Sequence, residues 1–175
     1  EQAIINEAHQ RGMVVPTRRN HDGNTQAAGA YVAYPKKGIH EWIGAIDINS
    51  LYPSAIRALN MSVETIIGQL RPTMTDNYIN GKMNAGKTFA DAWEGLFGTL
   101  EYQAVMNKEI GTEITIDWED GSSETYSAAQ IYRMVFESNQ AWSLSANGTL
   151  FTMETQGVVP GLLERWYKER QELQA

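Results

Sequence analysis

The chain has 175 residues, enough for one ordinary domain, and its 42% hydrophobic and 20% charged residues exclude a disordered or fibrous protein. Cysteine is absent, which excludes a disulfide framework, a thiolate nucleophile and a cysteine-based zinc site. A formal charge of −7 argues against an autonomous nucleic-acid binder, and no apolar run approaches the roughly 20 residues of a membrane span, so a cytoplasmic protein without a membrane partner is expected.

Residues 1–11 read as the end of a helix that Gly12 and Pro16 break, and 18–26 as polar loop. The apolar, aromatic run 27–34 predicts a strand, ended by Pro35-Lys36-Lys37-Gly38, and 41–48 predicts a second strand completing a hairpin. Pro53 has no N–H to satisfy and suits a first helical turn, so 53–59 reads as a short helix and Asp47 as the residue at a strand-to-helix turn. Residues 73–107 combine a helical period around 89–97 with four glycines between 81 and 98, which predicts helix and loop.

Farther on, 113–118 alternates polar and apolar, 119–123 turns the chain and 124–126 returns, giving the clearest hairpin of the sequence. Ser127 is a natural N-cap for a helix over 128–137 with Ile131, Met134 and Val135 on one face. A further hairpin is predicted from 142–144 and 149–153 around Asn147-Gly148, after which Pro160 opens an amphipathic helix through Leu162, Leu163, Trp166 and Tyr167. This mixture of helices and hairpins predicts an α+β fold.

The most informative stretch is Ile46-Asp47-Ile48-Asn49-Ser50-Leu51-Tyr52-Pro53-Ser54. An acid behind apolar residues, followed at once by a turn into a helix, exposes a carboxylate at the end of a rigid element. Phosphoryl transfer from a nucleoside triphosphate needs hard oxygen ligands for two Mg²⁺ ions, and Asp47 could supply one. Amides at the turn and at the helix start, near Ser50 and Leu51, are free to donate to phosphate oxygens. On spacing alone, a turn-capping Asp47 and a half-buried Tyr52 is the simpler account.

The stretch Asp47 to Ser54 also resembles the first palm motif of family B DNA polymerases, D-x-x-S-L-Y-P-S. The resemblance continues through Ile56-Arg57 and Asn60-Met61-Ser62-Val63-Glu64-Thr65-Ile66, which looks like the T-even-like phage enzymes. Upstream, Arg19-Asn20-His21 and Ala28-Gly29-Ala30-Tyr31-Val32 resemble the loop and Gly-Gly segment before the palm, with Ala30 where the family has its second glycine. Downstream, 145–151, Gly157-Val-Val-Pro160 and Leu162-Leu163 are similar to the palm hairpin and the lead-in to the fingers.

The resemblance covers roughly residues 17–75 and 143–175. It divides the chain into 1–79, the N-terminal part of the palm; 80–142, an insertion of ββα type; and 143–175, the palm hairpin and the start of the fingers helix. It implies that Asp47 is catalytic and binds both Mg²⁺ ions, that the Ile48 carbonyl is a further metal ligand, and that the Ser50 and Leu51 amides hold phosphates. It also implies that Tyr52 packs under the sugar and excludes a 2′-hydroxyl, that Arg170 pairs with phosphates, and that Gly29 and Tyr31 contact DNA. A fragment or split subunit of a replicative DNA-directed DNA polymerase in a phage-infected bacterial cell is the expected function. Its partners would be the remainder of the polymerase chain, primer–template DNA and dNTP, and it would be inactive alone, since the second catalytic aspartate and the fingers lysine are not in this sequence.

Two other readings arise. Residues 81–88, Gly-Lys-Met-Asn-Ala-Gly-Lys-Thr, fit the phosphate-loop pattern G-x-x-x-x-G-K-T of a nucleotide-binding protein, although the polar stretch before them lacks the required buried strand. Trp93, Phe97 and Trp118 with the 80–140 hairpin could instead form a docking surface of a non-catalytic module. His9, His21 and His40 have no ligand-like spacing, and Glu119, Asp120 and Glu124 cluster at a turn, where solvated acids are usual.

Overall fold

Ile66, Ile67 and Leu70, with only Gly68 and Gln69 between them, make a short buried strand that propensity did not single out: β1 (Ile66–Leu70). In the computed structural model, which describes residues 2–15 and 33–174, β1 is the central strand of a five-stranded antiparallel sheet. Two compact units are present, Glu1–Leu51 and Tyr52–Ala175.

The second unit holds the sheet, in the order β3-β2-β1-β5-β4. On one side of β1 lies β2 (Glu113–Trp118), pairing Trp118 with Gly68 and Ile116 with Leu70; β3 (Ser123–Ser127) follows it as the edge. On the other side lie β5 (Thr149–Thr152) and then β4 (Trp142–Leu144). The hairpins predicted from 113–126 and from 142–153 therefore form, each docked on β1. The α+β architecture predicted from the sequence is the one observed, and the ββα segment shares a continuous sheet with β1 and β5.

Side-chain alternation directs Ile114 and Ile116 of β2 to one face, where they meet Leu70, Leu144 and Leu150. That face is closed by α5 (Leu100–Met106) through Ala104 and Val105, and by α6 (Ala128–Tyr132) through Ala128 and Ile131. Each fully buried Ile or Leu contributes about 1.5–3 kcal/mol relative to exposure. On the β2–β3 half the opposite face is polar: the hydroxyls of Thr115 and Thr125 are 2.9 Å apart, and Arg71 donates to Asp117.

Ser127 caps α6 as predicted, in a full capping box with Gln130, but the α-helix ends at Tyr132 and continues as a π-helical turn over Arg133–Glu137. The segment 73–107 resolves into α3 (Thr73–Asn84), α4 (Phe89–Ala92) and α5. Buried Glu101 of α5 joins two of these helices. Its carboxylate accepts the Met74 amide at 2.6 Å, the Thr75 amide at 3.2 Å and the Thr75 hydroxyl at 2.5 Å. A carboxylate thus satisfies free N–H groups at the positive end of α3.

The first unit contains α1 (Gln2–Gln10), terminated at Gly12 with φ +72° as its breaker role requires. The hairpin predicted from 27–34 and 41–48 is not observed among the described residues: 33–48 form no strand, while 27–32 lie outside them. The apolar residues are present, but no described strand pairs with them, and a lone strand cannot satisfy its backbone groups. Trp42 at φ +59° and Gly38 at φ +140° further break the extended run.

Candidate active site

Asp47 lies on an exposed, irregular segment rather than at a strand end, and three residues later the chain turns through Ser50 in the left-handed region at φ +52°. Helix α2 (Leu51–Ala58) then begins two residues earlier than Pro53 suggested, leaving Pro53 within the first turn, where its missing N–H costs nothing. As the first helical residue, Leu51 has an amide without an intrahelical acceptor. The Ser50 hydroxyl is 3.2 Å from the Asn49 side-chain oxygen. Ile48, Leu51 and Tyr52 are exposed large apolar side chains. The sequence Asp47-x-x-Ser50-Leu51-Tyr52 therefore builds an exposed carboxylate, a sharp turn and a helix N-terminus.

As a metal ligand, the exposed Asp47 carboxylate is sterically accessible and hard, the donor type that Mg²⁺ prefers. Among the described residues no group of three or more His, Asp or Glu converges to hold an ion. Asp47 alone offers a single carboxylate, fewer ligands than an Mg²⁺ ion takes.

The other end of α2 is tied to the last helix, α7 (Val158–Gln174). After Ala58 the chain leaves α2 through Asn60 at φ +55°, with the Met61 amide on the Ile56 carbonyl at 2.9 Å and the Asn60 amide on the Arg57 carbonyl at 3.3 Å. This double-bonded helix end favours Gly or Asn at the left-handed position. The buried Asn60 side chain donates to the carbonyls of Thr152 at 2.7 Å and Thr155 at 2.8 Å, and accepts the Gly157 amide at 2.8 Å.

Glu64 completes the latch. One carboxylate oxygen accepts the Val158 amide at 2.5 Å, at the N-terminus of α7, and the other accepts the Ser62 hydroxyl at 2.7 Å. Gly157 is required by close approach: a Cβ there would lie 2.7 Å from that of Ser62. Farther along, the Arg57 guanidinium sits 5.2 Å from the ring centre of Tyr167. The Lys168 ammonium, then the Gln156 amide, then the Arg57 charge hold the Glu164 carboxyl below its ordinary pKa. A pocket of about 230 Å³ lies here between Arg57, Asn60, Pro160 and Glu164.

Arg170 is exposed near the C-terminal end of α7, which starts at Val158, with Pro160 inside its first turn. Among the described residues its guanidinium has no partner, so it is available to an anion. Gly29 and Tyr31 lie outside the described residues. The latch residues Asn60, Glu64 and Gly157 were visible in the sequence only as parts of the resemblance; an Asn directly after a short helix was the one physical signal of a left-handed helix end.

Residues 81–88 do not form a phosphate loop. Gly81 to Asn84 are the last turn of α3, Gly86 and Lys87 are a short connection, and Thr88 caps α4 by accepting the Asp91 amide. A phosphate loop needs a strand immediately before it, and here a helix stands in its place. Of the aromatic residues considered for docking, Trp93 packs on Phe89 with ring centres 6.1 Å apart, Phe97 is exposed, and Trp118 is partly buried against the sheet core.

The sequence pattern described as DNA polymerase family B matches residues 1–175. The chain is 35% identical over 112 residues to a DNA-directed DNA polymerase of Escherichia phage RB69, covering 64% of this chain and 12% of that protein. It is 37% identical over 78 residues to a DNA-directed DNA polymerase of Enterobacteria phage T4, covering 45% and 9%. A DNA polymerase of Archaeoglobus fulgidus is 34% identical over 62 residues, covering 35% and 8%. The chain thus spans about a tenth of the length of the curated relatives it matches. No solved structure matches.

Proposed function

The chain belongs to DNA polymerase family B, and from that premise we propose that it supplies Asp47 and part of the dNTP site of a replicative DNA-directed DNA polymerase. The observation that carries this is the arrangement at 47–52: an exposed carboxylate, the left-handed turn at Ser50 and a helix N-terminus opening at Leu51. Bound there, two Mg²⁺ ions would supply charge neutralisation of the triphosphate. Asp47 and the Ile48 carbonyl would ligate, and the Ser50 and Leu51 amides would receive phosphate oxygens. Tyr52 would pack under the sugar and Arg170 would pair with phosphate. The latch between α2 and α7 fixes the start of the helix that carries Arg170. Gly29 and Tyr31 would contact primer–template DNA.

The remainder of a polymerase chain is the partner this reading requires. Tyr34, Ile39, Trp42, Ile43 and Ile46 are large apolar side chains left exposed on the segment that leads to Asp47. Strands from the missing part of the palm would cover them and bring further carboxylates. Residues 80–142 would be an insertion in that palm, and the site of action the cytoplasm of a phage-infected bacterial cell.

Primer extension after mixing the chain with the missing downstream polymerase segment tests this. Extension is expected from the assembled mixture and not from the chain alone. Asp47→Ala should lower it by at least the roughly 10²–10³-fold typical of losing one group that stabilises transition-state charge. An assembled complex that extends equally well with Asp47→Ala would refute the role of Asp47.

A further inference from the structure

At one end of the inner sheet face the core opens to the surface. Gly68 is the reason: a Cβ there would come within 2.9 Å of the Trp118 ring, so only a bare backbone lets the indole lie across β1. Trp118 thereby meets Trp142 from the far side of the sheet, ring centres 5.7 Å apart and tilted by 56°. With Ile66 and Ile67 the two partly buried indoles form the floor of a depression of about 490 Å³.

Its rim is acidic. Glu119, Asp120 and Glu124 border the depression, all exposed, and among the described residues none of them is in an ion pair. Glu124 is held in place as an acceptor for the Trp118 indole N–H at 3.1 Å and for the Tyr126 hydroxyl. The described cation on the neighbouring strands, Arg71, is engaged by Asp117.

An apolar, aromatic floor rimmed by three carboxylates that no described cation neutralises matches one kind of ligand: aliphatic side chains interspersed with cations, which gain both a carboxylate and an indole face. Phosphate-bearing ligands would meet like charge here, and so would a second copy of this chain with its formal charge of −7. We propose that the Trp118–Trp142 depression docks an arginine- or lysine-bearing peptide segment of a partner protein.

The test uses the whole chain and a fluorescein-labelled eight-residue peptide alternating arginine and leucine, with a glutamate–leucine peptide as comparison. Anisotropy reads binding, and intrinsic tryptophan emission reads its location. Binding of the arginine peptide alone is expected, with a change in emission that is lost in Trp142→Leu. Replacing the rim by Glu119→Gln, Asp120→Asn and Glu124→Gln together should raise Kd at least tenfold. Removing the same charge elsewhere, by Glu154→Gln, Glu169→Gln and Glu172→Gln, should change it less than twofold. All six side chains are exposed, so both triple variants retain the fold. Equal weakening by the two triples, an unchanged tryptophan emission, or no binding of the arginine peptide would overturn the proposal.

Discussion

In the unit that begins at Tyr52, Leu70, Ile116, Ile131 and Leu150 retain 1% or less of their surface, whereas in the stretch ahead of it Ile39, Trp42 and Ile46 remain 99–100% exposed. Both stretches are rich in β-branched and aromatic side chains. What differs is the supply of hydrogen-bonding neighbours: β1 has a strand on either side, and residues 33–48 have none among those described. Burial follows pairing, because an extended chain without a partner must keep its N–H and C=O groups in water. The comparison also separates two kinds of completeness, since the sheet unit closes around its own core while the described segment carrying Asp47 is left open.

The largest contrast should come from matched truncations. Ile116→Ala is expected to destabilise the sheet unit by about 2–5 kcal/mol in urea unfolding, and Ile46→Ala to change the isolated chain by less than about 0.5 kcal/mol. If the proposed function holds, Ile46→Ala should instead weaken association with a complementary polymerase segment; a loss of several kcal/mol in the isolated chain would show that Ile46 already packs within it. Next in size, Glu101→Ala leaves the partly buried Met74 amide and the buried Thr75 amide without an acceptor and should cost about 1–3 kcal/mol.

Asn60→Ala removes three hydrogen bonds of the latch and should cost about 1–2 kcal/mol. Faster amide hydrogen exchange at the start of α7, with β2 and β3 unchanged, would locate the loss. The smallest effect concerns Asp117, whose carboxyl is held below its ordinary pKa first by the hydrogen bond from Arg71 and then by that from Ser123. Because the folded-state pKa is the lower one, this contribution is present above the ordinary value of about 3.9 and fades as pH falls through the depressed one. Asp117→Asn should therefore flatten stability against pH only below about pH 4.

Much of the sheet unit was legible in the residues. Alternation over 113–118, the Asn147-Gly148 turn and the Ser127 cap are local signals, and each feature forms where they place it. β1 was not legible, since five residues containing Gly and Gln carry no clear period; it is a strand because two hairpins dock on it. Around Asp47 the turn and the helix after it could be read, but not that the preceding apolar residues would lack a strand partner. The latch escaped for another reason. Asn60 and Glu64 act on Gly157 and Val158, over ninety residues away in the chain, and no local pattern announces such a contact.

The placement of β1 also bears on how long the chain between the two hairpins can be. β1 pairs with β5 along one edge and with β2 along the other, so the two hairpins do not compete for the same backbone groups. Closing a longer connection costs only about 0.6 kcal/mol for each doubling of its length. The connections within the stretch from Arg71 to Ala141 can thus lengthen at small cost, while its core residues Val105, Ile116 and Ile131 remain needed to bury Leu70, Leu144 and Leu150. New surfaces can therefore arise in the connections on the β2 side while the strands and the latch on the β5 side stay in register.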